Sequence, residues 1–349
     1  MKKKKVVRPM SIDMDDSASV LAVESPLANI LKLCEERIAP HFHKADWDAL
    51  DYQEQHVKRA NSVALFGSLA VILAIGELVI TEGDSLLNLW FEYFLSFVEI
   101  VLVGWLVALI LQGLRQYLKQ EWLLERYKAE RLRLLKFSFI LEPAMWDGNK
   151  RDEDICTDRL SQQVEEITLS TFTSPECWLA EGQAPYVYQA PTQSLTPEQL
   201  DSLLKYFQGK RIRFQKDYFG GAVQRHTRRD RKTRIAAPAL FFGSVAFVIA
   251  HVAIEVAQGA PFANRFFIFL AAALPALGAL FRTVRSANEA ARNASRFEAN
   301  HRALLKLEER IQQASTPADL FRELGFCEQI LEADHREWTR LMTEAEWFG

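Results

Sequence analysis

Two pairs of long apolar stretches divide a chain that is otherwise polar and charged. The first pair covers approximately residues 63–80 and 87–111, and the second pair covers approximately residues 235–256 and 262–281. A helix needs about 20 mostly apolar residues to cross the hydrocarbon core of a bilayer. The pattern therefore predicts an all-α membrane protein with four transmembrane helices, arranged as two tandem hairpins with short polar turns.

Helical composition continues beyond the second span of each pair. The runs 115–141 and 282–313 contain no proline or glycine, so each predicts a long cytoplasmic stalk helix. With its span, such a helix would have about 55 residues and a length on the order of 80 Å. Capping threonines at Thr196 and Thr316 predict two further helices, the first running toward a break at Gly220 and Gly221.

Positive charges indicate the orientation of the spans. Sixteen lysines and arginines flank the first and last ends of the two pairs, whereas Arg265 alone lies near the turns. Positive residues remain on the cytoplasmic side of a membrane. Both termini and the long middle segment are therefore predicted to be cytoplasmic, and the lipid bilayer is the first predicted partner.

Composition adds two exclusions. A mean hydropathy of −0.08 and a formal net charge of −3 average over very different segments, and they exclude collagen and disordered chains. The four widely spaced cysteines indicate reduced thiols rather than a disulfide scaffold. The chain has no nucleophile elbow, phosphate-binding loop, zinc-protease helix or dinucleotide fingerprint, so we expect neither an enzyme nor a cofactor.

Two matched landmarks indicate an internal duplication. Residues 66–70 (FGSLA) match residues 242–246 (FGSVA), and residues 126–137 match residues 296–307 in the same order. Chance similarity between membrane-adjacent helices is the alternative. With the duplication, the predicted organisation is a disordered basic tail (1–25), a first two-span module (26–142), a cytoplasmic connector (143–195) and a second two-span module (196–349).

Both halves of the chain, over roughly 240 residues, resemble a known family. A two-span hairpin follows a polar helix and precedes a long helix with the pattern Arg126, Ala129 and Glu130, and the chain ends in an acidic helix at 332–338. These features are similar to the SLATT two-transmembrane effector domains. The resemblance implies a pore-forming or membrane-perturbing effector of bacterial antiphage systems, in the inner membrane, switched by a nucleotide from a partner protein. The chain departs from the family in having two hairpins, and Asn300 replaces the glutamate in the second copy.

Polar residues line one face of the second span. Asn88, Glu92, Ser96 and Glu99 are spaced by four, four and three residues. In a homo-oligomer, which we expect to be a tetramer, this face would form carboxylate rings that attract cations. The alternatives are that a glutamate pairs with Arg265, or that it stays protonated and hydrogen-bonded.

His251 and Glu255 lie four residues apart in the third span and share a helix face. They could bind a cation or respond to pH. Hydrogen bonding between helices explains the pair at least as well.

The stretch 210–234 contains ten lysines or arginines and two aspartates. It could anchor the chain to anionic lipid. The other interpretation is a phosphate-binding surface for a nucleotide or oligonucleotide signal. Its phosphate oxygens would accept paired hydrogen bonds from the guanidinium groups of Arg211, Arg213, Arg228 and Arg229.

The sequence thus predicts an oligomeric, cation-permeable membrane pore that an anionic signal gates through its cytoplasmic helices. The alternative function is a non-conducting membrane adaptor that recruits a soluble partner.

Overall fold

The computed structural model describes residues 11–16, 26–80, 86–115, 117–171, 195–256, 261–288 and 290–344. Within these ranges the backbone forms helices and turns and contains no β-strand. The predicted all-α class is therefore confirmed.

The helices are numbered in chain order. The first four are α1 (Pro26–Arg37), α2 (Ala39–Ile80), α3 (Leu86–Arg115) and α4 (Leu118–Ile140). A short 3₁₀ turn (Pro143–Met145) precedes α5 (Lys150–Leu169), and α6 (Pro197–Tyr206) leads through a π-helical turn (Phe207–Arg213) into α7 (Phe214–Val256). The last three are α8 (Pro261–Asn288), α9 (Ala290–Gln313) and α10 (Pro317–Glu344).

Four stretches are long and apolar enough to cross a membrane, one in each of the helices α2, α3, α7 and α8. The shares of their most apolar windows that are buried within the chain are 17%, 0%, 6% and 6%. A water-soluble helical protein would bury such surface in its core, because exposed apolar area is unfavourable in water. The four helices thus have the length and the exposed apolar surface of a multi-pass membrane protein.

The chain divides into two compact units. The first unit comprises Met1–Gln53, Lys119–Val223 and Ser295–Gly349, and the second comprises Glu54–Leu118 and Gln224–Ala294. The apolar windows of the four candidate spans belong to the second unit. Helices α2 and α7 contribute residues to both units.

The first unit has a conventional hydrophobic core. Phe42, Phe137 and Phe321 are completely buried, and apolar residues of α1, α4, α5, α6, α9 and α10 pack around them. Removing one such side chain from water contributes roughly 1.5–3 kcal/mol, so this core is a main source of stability for the unit.

In the second unit, small residues let neighbouring helices approach closely. A Cβ atom added to Gly67 would lie 3.9 Å from Leu106, and one added to Gly243 would lie 3.4 Å from Leu274. The two glycines occupy the same position in the two FGS sequences, and each faces a leucine of the next helix. Ser244, which follows the second glycine, donates a hydrogen bond of 2.6 Å to the carbonyl of Ala271.

Two sequence predictions about helix ends differ from the structure. The predicted continuous helix after the second span is interrupted at Tyr117, between α3 and α4, where the chain passes from the second unit to the first. The predicted break at Gly220 and Gly221 is absent, since α7 runs through both residues. Gly220 instead allows a close approach, because a Cβ atom there would lie 3.3 Å from the Nε2 atom of His301 on α9.

Candidate functional site

The segment Ser11–Asp16 carries two carboxylates into the interior of the first unit. The segment forms a turn in which the amide of Met14 donates to the carbonyl of Ser11 at 2.9 Å. Met14 is 1% exposed, and both Asp13 and Asp16 are 0% exposed. Buried carboxylates require cations and hydrogen-bond donors around them, because transfer of a charge out of water is costly.

Asp16 faces donors from three helical elements: α4, α6 and the π-helical turn. The Nζ atom of Lys136 on α4 lies 2.6 Å from Oδ2 of Asp16. The hydroxyl of Tyr206 lies 3.0 Å from both carboxylate oxygens, and Nζ of Lys210 lies 3.9 Å from Oδ1. The amide of Asp16 also donates to Glu35 of α1 at 3.4 Å. Two ammonium groups and a phenol therefore converge on one carboxylate.

Asp13 lies beside two guanidinium groups. Its Oδ2 atom is 3.0 Å from Nε of Arg133 and 3.9 Å from Nη1 of Arg211. Oδ2 of Asp13 and Nε of Arg133 are both buried, and neither has a hydrogen-bond partner. Their attraction is thus Coulombic without hydrogen-bond alignment. Burial lowers the pKa of Arg133, but the charges of Asp13 and Glu130 outweigh it, and the net result is a raised pKa.

The π-helical turn positions the remaining cations. Such turns are rare and occur frequently at functional sites, because one additional residue re-aims the side chains. Lys210 donates to the carbonyl oxygens of Ile12 at 3.0 Å and Asp15 at 2.6 Å. The next residue, Arg211, donates from Nε and Nη2 to the two oxygens of Glu328 on α10, at 2.8 and 2.5 Å.

Burial dominates the protonation of the other groups around this cluster. It raises the pKa of the Cys34 thiol to about 12. Burial, with the neighbouring Asp16, raises the pKa of Tyr206, so its hydroxyl remains a proton donor at neutral pH. Burial also raises the pKa of Glu328, although Arg211 acts in the opposite direction.

A second polar network joins α4 to α10 and contains the residues on which the SLATT resemblance rests. Ala129 is completely buried, and Arg126 forms an ion pair with Glu130. Burial lowers the pKa of His335 to about 4, and it raises the pKa of Asp334 to about 6. Arg131 of α4 pairs with Glu332 of α10 at 3.2 Å, and the rings of Tyr127 and His335 lie 5.8 Å apart, so this network is a contact between the two helices.

A cleft of about 460 Å³ lies among α4, α5 and α10. Its charged lining comprises two arginines, Arg131 and Arg159, and four glutamates: Glu142, Glu166, Glu328 and Glu332. Because acids outnumber bases, this cleft does not match an anionic signal.

The structure places the predicted polar face of the second span on α3. Ser96 donates a hydrogen bond to Glu77 of α2, and Glu99 is half-buried. The side chains of Asn88 and Glu92 lie outside the described residues.

The predicted pair in the third span lies on α7. His251 is half-buried, whereas the side chain of Glu255 lies outside the described residues. The ion or pH site proposed for these two residues stays a prediction.

The four arginines predicted as anion forks lie in different surroundings. Arg211 is 1% exposed, and its guanidinium is committed to Glu328. Arg213 of the first unit and Arg228 and Arg229 of the second unit are exposed. In this structure the guanidinium of Arg211 therefore forms a buried ion pair and is not available to a ligand.

Of the buried charge cluster, which comprises Asp13, Asp16, Arg133, Lys136, Tyr206, Lys210, Arg211 and Glu328, only Arg211 was predicted as a site residue. Residues 11–16 fall within the predicted disordered tail, yet the structure packs them into the core. Two sequence features could have indicated this cluster. They are the three aspartates of residues 11–16 (SIDMDD) and Lys136, which matches Lys306 in the second of the two similar sequences. Nothing local in the sequence indicates that they meet, because they are separated by 120 positions.

No protein-family model matches the chain, and no curated protein or solved structure matches it either. The resemblance to SLATT domains therefore stays a prediction from sequence.

Proposed function

We propose that the protein is an oligomeric, cation-permeable membrane pore whose cytoplasmic helices gate it in response to an anionic signal. The observation that carries this proposal is the presence of acidic side chains within apolar helices. Glu77 lies in α2 and Glu99 in α3, and the neighbouring side chains of both helices are mostly apolar and either exposed or half-buried. Ionisable groups inside a membrane are costly and usually mark an ion pathway.

The proposed pathway follows α3. Ser96 and Glu99 are three residues apart and therefore project from neighbouring positions of one helix face. When identical chains assemble around an axis, Glu99 would form a ring of carboxylates that replaces part of the hydration shell of a cation. Asn88 and Glu92 extend the same face toward the start of the helix.

Gating would use the covalent continuity of the two units. A ligand that binds one conformation of the first unit better than another shifts the population of that conformation. Helices α2 and α7 contain residues of both units, so a change in the first unit reaches the second through unbroken helix.

The cellular setting follows from two further arguments. The charge asymmetry of the span ends supports two hairpins with cytoplasmic termini. The SLATT resemblance supports placement in the bacterial inner membrane and in an antiphage system.

Ion flux through the purified protein in liposomes tests the proposal. We expect a K⁺ flux that exceeds the Cl⁻ flux, measured with and without added nucleotides. Glu99→Gln should reduce the preference for K⁺ without changing the oligomer size. Glu309→Gln, at an exposed position of α9, is the matched control and should behave as wild type. Absence of any flux would exclude the pore, and an unchanged ion preference in Glu99→Gln would exclude the role of Glu99.

The second candidate is a non-conducting membrane adaptor, and the contact between Ser96 and Glu77 favours it. A hydrogen bond between two neighbouring helices satisfies both polar groups within one chain, so their presence requires no water-filled pathway. An assembled oligomer that retains a soluble partner but passes no ions would establish this function.

A further inference from the structure

The buried cations of the first unit require an explanation beyond stability. The side chain of Lys136 is 2% exposed, and Asp16 is the one acid within ion-pair distance of it among the described residues. Buried ion pairs lose much of their Coulombic gain to desolvation, and apolar replacements are often equally stable. A lysine at this depth therefore suggests a site that must receive an anion.

The duplication provides an internal comparison. Lys136 corresponds to Lys306 of the second copy, which is exposed, and Arg133 corresponds to Ala303. The second copy shows that the repeat folds with its lysine in solvent and without the arginine. The enclosed cluster of cations is thus a special feature of the first copy, where the segment 11–16 covers it.

We propose that Arg133, Lys136, Tyr206 and Lys210 form a binding pocket for a phosphate group, and that the segment 11–16 is an internal acidic occupant which the phosphate ligand displaces. Asp13 and Asp16 stand where the phosphate oxygens would bind. This assignment goes beyond the proposed pore and holds whether or not the second unit conducts ions.

The donor set matches phosphate chemistry. The pocket presents two ammonium groups, one phenol hydroxyl and the Nε–H group of Arg133 as donors. Nη1 of Arg133 already donates to both carboxylate oxygens of Glu130 at 2.7 Å, so Nε is the atom of this guanidinium that faces the pocket without a hydrogen-bond partner. A phosphate dianion has the charge of the two aspartates together, and its oxygens can accept several charge-assisted hydrogen bonds at once. A neutral ligand would leave Lys136 buried without a counter-charge, which is strongly unfavourable.

The segment is held in a way that allows exchange. Residues 12–14 form a turn, and the side chains and carbonyls of the segment supply its contacts with Lys136 and Lys210. Ile12 is 64% exposed, so Met14 is its main apolar anchor. Asp13 faces Arg133 without a directional hydrogen bond, although both atoms are buried. The fit of Asp13 to the pocket is therefore incomplete, and an acceptor aligned with Nε of Arg133 would bind more strongly there.

Competition between the segment and the ligand has a measurable consequence. When an internal group occupies a site, the apparent affinity of a ligand falls by the fraction of molecules in which the site is open. Neutralising the two aspartates weakens the internal occupant but leaves every donor of the pocket in place. We expect Asp13→Asn/Asp16→Asn to bind phosphate at least tenfold more tightly than the wild type.

Hydrogen–deuterium exchange on the wild-type full chain in detergent micelles tests the displacement directly. Inorganic phosphate should accelerate exchange of the amides of residues 11–16, whereas chloride at equal ionic strength should not. Adenosine 5′-monophosphate and nanodiscs with or without phosphatidylglycerol form two further arms. Acceleration by soluble phosphates assigns a soluble ligand, and acceleration only by phosphatidylglycerol assigns a lipid headgroup. No acceleration in any arm overturns the proposal.

Equilibrium binding of radiolabelled inorganic phosphate provides the second test. Lys136→Met should abolish binding, and the matched control Lys306→Met should retain the wild-type affinity. Equal affinities of wild type and Asp13→Asn/Asp16→Asn would overturn the competition. If the double variant does not fold, the exchange experiment on the wild type still decides, because it uses no substitution. Neither test involves ion flux, so a failed pore and a failed phosphate site give different results.

Discussion

Lys136 Nζ lies 2.6 Å from Asp16 Oδ2, and the two side chains are 2% and 0% exposed. Lys205 and Asp201 form a pair with the same chemistry and the same 2.6 Å separation, but their side chains are 74% and 56% exposed. Geometry is thus nearly constant between the two pairs while solvent exposure differs. The comparison isolates what burial does to a lysine–aspartate contact.

Asp16→Asn should destabilise the protein by about 3–5 kcal/mol, because it leaves Lys136 charged and buried without an acid partner. Asp201→Asn should change stability by less than about 1 kcal/mol, as exposed pairs contribute little. The measurement is the thermal unfolding midpoint of each variant in phosphate-free detergent solution. Similar midpoints for the two variants would contradict the burial of the N-terminal segment.

Arg211→Met should destabilise the first unit by roughly 3 kcal/mol, since it leaves the carboxylate of Glu328 buried and unpaired. Arg213→Met removes the same charge from an exposed position two residues away and should be close to neutral. Thermal unfolding and nucleotide binding are measured together. If Arg211→Met kept the wild-type stability and lost only nucleotide binding, Arg211 would be a ligand-binding residue and the prediction would be wrong.

Acidification should destabilise the contact between α4 and α10 through His335. Burial holds its pKa at about 4 in the folded state, below its ordinary value of 6.5. The unfolded chain therefore binds a proton that the folded chain excludes, and stability is lost as the pH falls from 6.5 toward 4. The loss from this group is about 2 kcal/mol at pH 5.

The comparison with His335→Gln isolates this effect from its neighbours. Burial raises the pKa of Asp334 to about 6, so this carboxyl contributes stability below its ordinary pKa that is lost as the pH rises through 6, opposite in sign to the histidine. Glu130 and three arginines (Arg126, Arg131 and Arg133) also act on the imidazole. The difference in thermal unfolding midpoint between His335→Gln and the wild type should be smaller at pH 5 than at pH 7. An equal difference in unfolding midpoint at both pH values would exclude His335 as the titrating group.

Hydrophobic patterning predicted the helical class and the four apolar helices. An apolar stretch as long as 87–111 must satisfy its backbone hydrogen bonds internally in lipid, and a helix does so within one segment. The capping box at Thr196 was equally readable, and the structure shows both of its hydrogen bonds with Gln199. These features depend on residues close together in sequence. Local composition therefore sufficed to predict them.

The buried charge cluster could not be predicted in the same way. Its members lie in the N-terminal segment, α4, the π-helical turn and α10, and only tertiary packing brings them together. The basic residues at 210–234 predicted a positively charged segment, but they did not indicate which of these side chains are buried. Gly220 shows the same limit, because a glycine that marks a break in a local pattern serves here as a contact with His301.

Reporter fusions should show that the termini lie on one side of the membrane and the turns on the other. Green fluorescent protein fused after Gly349 should fluoresce, and alkaline phosphatase inserted within residues 81–85 should be active. The reason is the excess of lysine and arginine at the opposite span ends. Phosphatase activity at the C-terminus would reverse the predicted orientation.

Extraction of cell membranes is the measurement that bears most directly on the location of α2, α3, α7 and α8 in lipid. After a wash with alkaline sodium carbonate, which strips peripheral proteins, the chain should remain in the membrane pellet and dissolve only with detergent. Recovery of a monodisperse particle in detergent-free buffer would contradict the membrane location, and with it the proposed pore.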